Sequence, residues 1–319
     1  MRESMRRRVR WTGLLLLLAA AACGNYYHHP KLDVAPVDPP YAPAADGAAV
    51  DRLMPMLTGW SRSNEAHFLA GGDESKEIVI PIPVYLIERQ GEYALVDTGM
   101  APSLATNPSV YLGKTTAWLA RSRLRTLIMQ PGWGVPDRLE ALKIDPQAVK
   151  KVILTHAHFD HTGANRAFLH SSFLLTRATL DDGRHGSLFN GFWNEDFPAA
   201  LKTEEIDFAG TPPFLTFAGR RDVYGDGSVV LVPLPGHTKG SLGVYVRTKH
   251  GPVLLVGDAA YTMRNIREMI LPGYLEDADA AWDTLFRLKR LAERAPEVRI
   301  VPAHDPDVYR EIPVAPQSF

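Results

Sequence analysis

Short apolar runs rich in Val, Ile and Leu and bounded by Gly, Pro or charged residues predict a series of β-strands from Asp51 onward. The stretches EIVIPIPVYLIER and EYALVDTG are separated only by Gln90 and Gly91, so we expect them to form a hairpin. Helical spacing of apolar residues occurs at Pro136–Leu142 and at Asp279–Ala295. Further strand candidates are Lys151–His156, Ser228–Gly236, Ser241–Thr248, Pro252–Asp258 and Glu297–His304.

The order of these elements indicates an α/β protein. Strands occur in both halves of the chain, and helices lie between and after them. Such an order is expected when two sheets pack face to face and the helices cover their outer faces.

The segment Asp181–Pro213 has no clear period, yet it carries Phe189, Phe192, Trp193 and Phe197. Long irregular segments of compact domains are often lids or binding loops. The alternative is a surface excursion that buries its own small apolar cluster. The pattern does not separate these two interpretations.

The first 22 residues have the pattern of a secretory signal. An arginine-rich start is followed by the apolar run WTGLLLLLAAAA, which is shorter than the roughly 20 residues of a membrane-spanning helix. We therefore predict that residues 1–22 form a signal peptide and that the protein is exported. Cys23 follows directly, and LAAAAC resembles a bacterial lipobox, which implies a lipoprotein anchored through Cys23. A plain secretory signal with an incidental cysteine is the alternative.

Residues 23–50 are rich in proline and lack apolar periodicity, so we predict a tether there and one domain at 51–319. Cys23 is the only cysteine, which excludes an intramolecular disulfide. The 35 basic and 36 acidic residues give a net charge of −1. This balance does not favour a nucleic-acid partner, and we expect contact with a membrane only through the lipid anchor.

The stretch ILTHAHFDHTG gathers three histidines and an aspartate behind an apolar run. His156 and His158 are two residues apart, so on a strand end their side chains point the same way. Asp160 and His161 are adjacent in the expected turn, where their side chains diverge and can reach a second ion. Gly163 then lets the chain turn into a helix. This spacing favours a metal site over a polar turn.

Three more residues of ligand type fall near the ends of later strand candidates: His237 in PLPGHTKGS, Asp258 in LLVGDAAY and His304 in VPAHD. Residues at strand ends meet at one edge of a sheet, so we expect these side chains to gather in one site. Imidazole and carboxylate suit zinc and neighbouring first-row metals. The other histidines are expected at the surface or in the core: His67, His170, His185 and His250.

The motifs THAHFDH, PGHTKGS, GDA and PAH resemble the five-motif pattern of the metallo-β-lactamase superfamily, and Asp97 in LVDTG matches its early supporting aspartate. This resemblance extends from about Pro81 to Asp305. It implies a four-layer αββα sandwich with two divalent metal ions, most often zinc, between the sheet edges. The implied ligands are His156, His158 and His237 for one ion and Asp160, His161 and His304 for the other, with Asp258 as the bridge.

Within the superfamily, the chain is similar to the N-acyl homoserine lactone lactonases, the quorum-quenching branch, in PVYLIE, LVDTGM and HFDHTGAN. These enzymes carry a tyrosine three residues after the bridging aspartate, which is Tyr261 here. Asp258 argues against β-lactamase activity, because true β-lactamases generally lack that aspartate.

The implied reaction is attack of a metal-bridging hydroxide on a lactone. Tyr261 would stabilise the oxyanion, and Asp160 would carry a proton to the leaving alkoxide. An acyl tail would need an apolar groove, for which the segment 181–213 and the surroundings of Met54 and Phe68 are candidates. The alternatives are another ester or phosphotriester hydrolase of this superfamily and a non-catalytic tethered binding protein on the same scaffold.

Overall fold

The structure, a computed structural model, describes residues 37–44 and 46–319. The strands are β1 Arg52–Asn64, β2 Glu77–Arg89, β3 Glu92–Val96, β4 Leu127–Ile128, β5 Val149–Ile153, β6 Ser172–Thr176, β7 Lys202–Ile206, β8 Arg221–Asp222, β9 Val229–Pro233, β10 Leu242–Thr248, β11 Gly251–Leu255 and β12 Arg299–Val301. The helices are α1 Glu65–Phe68, α2 Pro108–Leu112, α3 Lys114–Leu119, α4 Arg121–Leu124, α5 Val135–Ala141, α6 Phe159–Thr162, α7 Arg177–His185, α8 Met263–Glu268, α9 Ala278–Arg294 and α10 Val308–Glu311.

These strands form two sheets. The first has the order β4-β1-β2-β3-β5-β6-β7, and the second has the order β12-β11-β10-β9-β8. In the first sheet β3, β5, β6 and β7 pair in parallel, whereas β1, β2 and β3 pair antiparallel. The second sheet is antiparallel except for the pair of β11 with β12.

Apolar layers hold the two sheets and the outer helices together. Successive side chains of a strand point to opposite faces, so Val229 of β9 lies in the cluster between the sheets and Val230 lies in the cluster under α9. The helix α9 buries the apolar face that its sequence predicts, through Leu285, Leu288 and Leu291. On the other side, α5 covers the first sheet. The predicted four-layer αββα sandwich is confirmed.

Most predicted elements are present with shifted ends. The hairpin of β2 and β3 turns at Gln90 and Gly91, which have φ of 51° and 81°. The two predicted helices correspond to α5 and α9. The strand predicted to reach His156 ends at Ile153, and the one predicted to reach His304 ends at Val301. The histidines of these segments therefore lie in loops beyond the strands.

Other strands are not apparent from the sequence pattern. In β1, Pro55 and Gly59 interrupt the apolar run, and the pairing with β2 changes register between Leu57 and Gly59. The strand β7 reads KTEEI and lies at the edge of its sheet, where charged residues are tolerated. The segment Asp181–Pro213 begins within α7 and contains β7, so it is irregular only between these two elements and after β7.

The described part of the predicted tether lies against the domain. Asp38 forms ion pairs with Arg290 and Arg294 of α9, and the backbone of Ala42 exchanges two hydrogen bonds with that of Leu215. The predicted signal peptide, Cys23 and the tether up to residue 36 lie outside the described residues, and so does residue 45. Within the described ranges, no helix combines the length and the apolar character needed to cross a membrane.

Candidate metal centre

The seven predicted ligand residues come together at one end of the sandwich, and Asp160 is the only one that is not fully buried. The positions are His156 and His158 in the loop after β5, Asp160 and His161 in α6, and His237, Asp258 and His304 after β9, β11 and β12. The expected placement on strand ends is therefore wrong in detail. The close approach of these residues comes from the loops, with α6 ending at Gly163 rather than starting there.

The first group contains His156, His158, His237 and one oxygen of Asp258. Nδ1 of His158 lies 3.0 Å from Nε2 of His156 and 2.9 Å from Nε2 of His237. Oδ2 of Asp258 lies 3.7 Å and 3.4 Å from the same two Nε2 atoms. Tetrahedral ligands about 2.0–2.1 Å from a zinc ion are about 3.3 Å apart. The four atoms thus have the spacing of one coordination shell.

The second group contains Asp160, His161 and His304. Oδ2 of Asp160 lies 3.8 Å from Nε2 of His161 and 3.7 Å from Nε2 of His304. The other oxygen of Asp258, Oδ1, lies 3.2 Å and 3.1 Å from these nitrogens. Each oxygen of Asp258 therefore faces a different group, which is the arrangement of a bridging carboxylate.

Asp97 orients His161 from the side opposite the cluster. The carboxylate accepts hydrogen bonds from the backbone N–H of Thr155, from its hydroxyl and from Nδ1 of His161, each 2.8 Å long. A histidine that donates through Nδ1 presents the lone pair of Nε2 to a metal. This is the supporting position that the resemblance implies for Asp97.

Backbone carbonyls orient two further histidines. Nδ1 of His304 lies 2.8 Å from the carbonyl oxygen of Pro81, and Nδ1 of His237 lies 3.2 Å from that of Tyr274. Both contacts turn Nε2 toward Asp258. Sequence reasoning misses these partners because a backbone carbonyl carries no residue signature.

Charge is distributed unevenly over the cluster. Burial lowers the pKa of His158 and of His237 to about 3, which keeps both imidazoles neutral and able to bind metal. Burial also acts to lower the pKa of His161 and His304, but Asp258 and Asp160 outweigh it and raise both pKa values. Burial acts to raise the pKa of Asp258, yet the neighbouring histidines hold that pKa well below its usual range. The cluster therefore favours positive charge beside Asp258.

Two buried atoms indicate how a metal would fit. Nε2 of His161 and Oδ1 of Asp258 have no hydrogen-bond partner among the described residues. Buried polar atoms without partners are costly, by about 1–3 kcal/mol each. A cation coordinated by both atoms removes this cost. The imidazole and carboxylate donors thus fit divalent metal ions.

Tyr261 lies beside both groups. Its ring centroid is 5.5 Å from that of His237 and 5.6 Å from that of His304, and its hydroxyl lies 3.4 Å from Nδ1 of His237. The side chain is buried and packs edge-on against Phe68. Of the two residues suggested for an acyl groove, Phe68 therefore reaches the site. Met54 does not, because it is buried on the outer face of the first sheet in the cluster under α5.

His67, which was predicted to lie at the surface or in the core, is half-buried beside Tyr261 and Tyr274. Its ring centroid is 5.8 Å from that of Tyr261 and 5.9 Å from that of Tyr274. No motif surrounds His67 in the sequence, and its position depends on the packing of α1. The prediction was right for His185 and His250, which are exposed.

The middle of the segment 181–213 lies over the first group. The backbone N–H of Phe159 donates to the carbonyl of Gly191, and the ring of Phe192 lies 4.7 Å from that of His158. Gly191 has a φ of +86°, and a Cβ there would lie 2.8 Å from Cδ2 of His158. This part of the segment covers the site, whereas Phe189 is 83% exposed.

Comparison with known proteins agrees with this fold and cluster. The pattern of the metallo-β-lactamase superfamily matches residues 78–304. The chain belongs to the metallo-β-lactamase superfamily.

Relatives within the superfamily include N-acyl homoserine lactonases. AttM of Rhizobium radiobacter is 30% identical over 272 residues, which cover 84% of this chain and 98% of AttM. An N-acyl homoserine lactonase of a Bacillus species is 28% identical over 244 residues, covering 75% of this chain and 86% of that enzyme. The resemblance to this branch is confirmed.

Solved structures with the same fold include an N-acyl homoserine lactone hydrolase with N-hexanoyl-L-homoserine bound at its catalytic metal centre. It has a TM-score of 0.71 and 22% identity, and the match covers 85% of this chain and 100% of that one. A variant of AiiA from B. thuringiensis with bound N-decanoyl-L-homoserine has the same TM-score, identity and coverage.

Proposed function

We propose that the protein opens the lactone ring of N-acyl homoserine lactones with the help of two divalent metal ions, and that these ions are zinc. The observation that carries the proposal is the division of Asp258 between two ligand groups, with Oδ1 about 3 Å from His161 and His304 and Oδ2 directed at His156 and His237. The similarity to AttM, which extends over nearly the whole length of AttM, supports the choice of substrate.

The ligand residues are assigned as the geometry groups them. His156, His158 and His237 would hold one ion, Asp160, His161 and His304 would hold the other, and Asp258 would serve both, because one of its oxygens faces each group. Such ions, when bound, supply a water of lowered pKa and polarise the ester carbonyl. Asp97 keeps His161 in the tautomer that binds metal.

Two side chains then act on the substrate. Tyr261 donates a hydrogen bond to the carbonyl oxygen as that oxygen gains charge, a contribution of about 3 kcal/mol for a preorganised donor. The oxygen of water bonds to the carbonyl carbon, and the C–O bond of the ring breaks. Asp160, whose side chain is 20% exposed, takes a proton from this water and passes it to the alkoxide that leaves. The product is an N-acyl homoserine with a free hydroxyl group.

A substrate panel tests this proposal. The purified protein is stripped of metal, reloaded with zinc and supplied with N-hexanoyl homoserine lactone, a β-lactam and a phosphotriester. We expect kcat/KM to be largest for the lactone by at least about 100-fold, because a planar ester carbonyl reaches both Tyr261 and the metal groups. A larger kcat/KM for the phosphotriester than for the lactone contradicts the proposed substrate. A protein that binds no metal and hydrolyses nothing supports the binding-protein alternative.

We also propose that the protein is exported and anchored by a lipid on Cys23. The arginine-rich start and the short apolar run before Cys23 support this location. Cys23→Ser should leave the protein unprocessed or free of the membrane fraction. Mass spectrometry that finds Met1 on mature protein in the cytosol contradicts the proposal.

A further inference from the structure

We propose that the helices α2, α3 and α4 dock on the surface of a membrane that contains anionic phospholipids. The residues concerned are exposed and are either basic or large and apolar. We call them the α2–α4 surface: Lys114, Trp118, Leu119, Arg121, Arg123 and Arg125. This contact goes beyond the proposed reaction and does not depend on it, and it is separate from the lipid proposed on Cys23.

Positive charge is concentrated in this part of the chain. Residues 98–136 contain four basic residues and no aspartate or glutamate, although the whole chain has 35 basic and 36 acidic residues. The four cations are exposed, and none of them forms an ion pair with another described residue. By contrast, Arg177, Arg221 and Arg310 are also exposed but pair with carboxylates. Cations without acidic neighbours attract an anionic surface.

Large apolar side chains accompany these cations. Seven large hydrophobic residues are exposed in the described part of the chain, and three of them lie in this segment: Val110, Trp118 and Leu119. Trp118 and Leu119 are each 62% exposed. The guanidinium of Arg121 lies 4.7 Å from the ring centroid of Trp118 and donates to the carbonyl of Trp118 over 2.9 Å. Basic and apolar groups are therefore in direct contact at the protein surface.

The rest of the segment is fixed to the domain. Leu112 and Ala117 are buried. Tyr111 of α2 donates its hydroxyl to the carboxylate of Asp196 over 2.5 Å, and the hydroxyl of Thr162 donates to the same oxygen over 3.0 Å. Thr162 is the last residue of α6, the helix that carries two of the ligand residues. Docking through the α2–α4 surface therefore holds the metal centre in a fixed orientation to the bilayer.

The combination of tryptophan and basic residues suits the interface between a membrane and water. Indole rings lie at the level of the lipid headgroups, and long basic side chains place their apolar stems among lipids and their charges among phosphates. A nucleic acid would also bind the four cations, but it would leave Val110 and Leu119 in water. The exposed apolar residues therefore favour a bilayer over a nucleic acid.

Binding to vesicles tests this proposal. The vesicles contain either phosphatidylcholine alone or equal parts of phosphatidylcholine and phosphatidylglycerol, and binding is measured by co-sedimentation. Every protein carries Cys23→Ser, so that no lipid on this residue takes part, and mass spectrometry checks that all variants share one N-terminus. Any contribution of the residues before the domain then cancels in the comparison.

The charge variant combines Arg121→Gln, Arg123→Gln and Arg125→Gln. Each basic residue at an anionic surface contributes about 5-fold to the affinity, so we expect Kd for the mixed vesicles to rise by about 100-fold. The matched control replaces the three ion-paired arginines described above by glutamine, which changes the net charge equally. Its Kd should rise by less than about 3-fold, because these positions lie outside the contact.

A second measurement locates the contact. Brominated phosphatidylcholine quenches the emission of tryptophan at short range, so Trp118 should lose emission when the protein binds mixed vesicles that contain this lipid. The emission of Trp118 is obtained as the difference between the protein and its Trp118→Phe variant, which keeps an aromatic ring. Added salt should weaken binding, because it screens the attraction between the cations and the lipid.

The melting temperature is measured for each variant. If the charge variant fails to fold, Arg123→Gln alone replaces it, with an expected rise in Kd of about 5-fold. Equal binding to both kinds of vesicle, equal losses in the charge variant and the control, or emission of Trp118 that brominated lipid does not change overturns the proposal. A DNA oligonucleotide that binds more tightly than the mixed vesicles through the same three arginines also overturns it and assigns the surface to nucleic acid.

Discussion

Replacing Asp97 by asparagine removes one charge and one hydrogen-bond acceptor behind His161. Asp97 has a φ of 61°, a conformation that asparagine also tolerates, so the substitution adds little backbone strain. The carboxylate accepts from the backbone and the hydroxyl of Thr155 and from Nδ1 of His161. Asparagine keeps one of the two carboxylate oxygens and has an NH2 group in place of the other. At least one of the three donors therefore faces an N–H group in the variant.

The expected loss of metal affinity follows from the loss of the acceptor for Nδ1 of His161. When His161 loses its acceptor, its proton is no longer held on Nδ1, and the tautomer that directs Nε2 toward Asp258 loses its advantage. Loss of such a partner costs about 10- to 100-fold in metal affinity, or about 1.4–2.7 kcal/mol. The buried donor left without an acceptor lowers the free energy of unfolding of the metal-free protein by a further 1–3 kcal/mol or so.

Chelator competition measures the affinity for each ion, and denaturant unfolding measures the stability. The matched control is Asp222→Asn, because Asp222 accepts hydrogen bonds from three backbone N–H groups in a loop that contains no ligand. The control should lower stability and leave metal affinity unchanged. If Asp97→Asn binds both ions as tightly as the wild type, the account of how His161 is oriented is refuted.

Three other substitutions are informative. Tyr261→Phe should lower kcat by about 100-fold or somewhat less with unchanged metal content, whereas a wild-type rate would make Tyr261 a packing residue. Asp258→Ala should reduce metal content in both groups, because each of its oxygens faces a different group, and unchanged content in metal analysis would remove the bridge. Gly191→Ala should weaken binding of the first ion by pushing a Cβ toward the ring of His158. Gly210→Ala has similar backbone strain at a φ of +69° but meets nothing within 4 Å, so metal affinity should not change in this control.

The fold and the ligand residues follow from local features of the sequence. The continuous apolar runs of β2 and β9 indicate strands that are buried on both faces, and the apolar face of α9 indicates which side of the helix is buried. The motifs around His156 and His237 name ligand types at the ends of apolar runs. Such signals are contained within about ten residues, so they can be recognised without the tertiary structure.

The rest of the site depends on contacts between distant segments. His67 comes to lie beside Tyr274 because Gly273 allows a loop to pack against α1, about 200 residues away along the chain. The carbonyl of Pro81, which orients His304, is exposed to it only because β2 lies beside the loop after β12. The strand β1 is not recognisable from its sequence, because its residues pair with β2 through a shift in register. None of these features has a local pattern that sequence reasoning can detect.

The dependence of lactone hydrolysis on bound metal tests the central claim most directly. Metal-free protein is titrated with zinc while the ring opening of N-hexanoyl homoserine lactone and the amount of bound metal are measured on the same samples. We predict no hydrolysis without metal and full activity at two equivalents per chain, because both ligand groups contribute to one site. Hydrolysis that persists after complete removal of metal, or full activity at a single equivalent, would contradict the account.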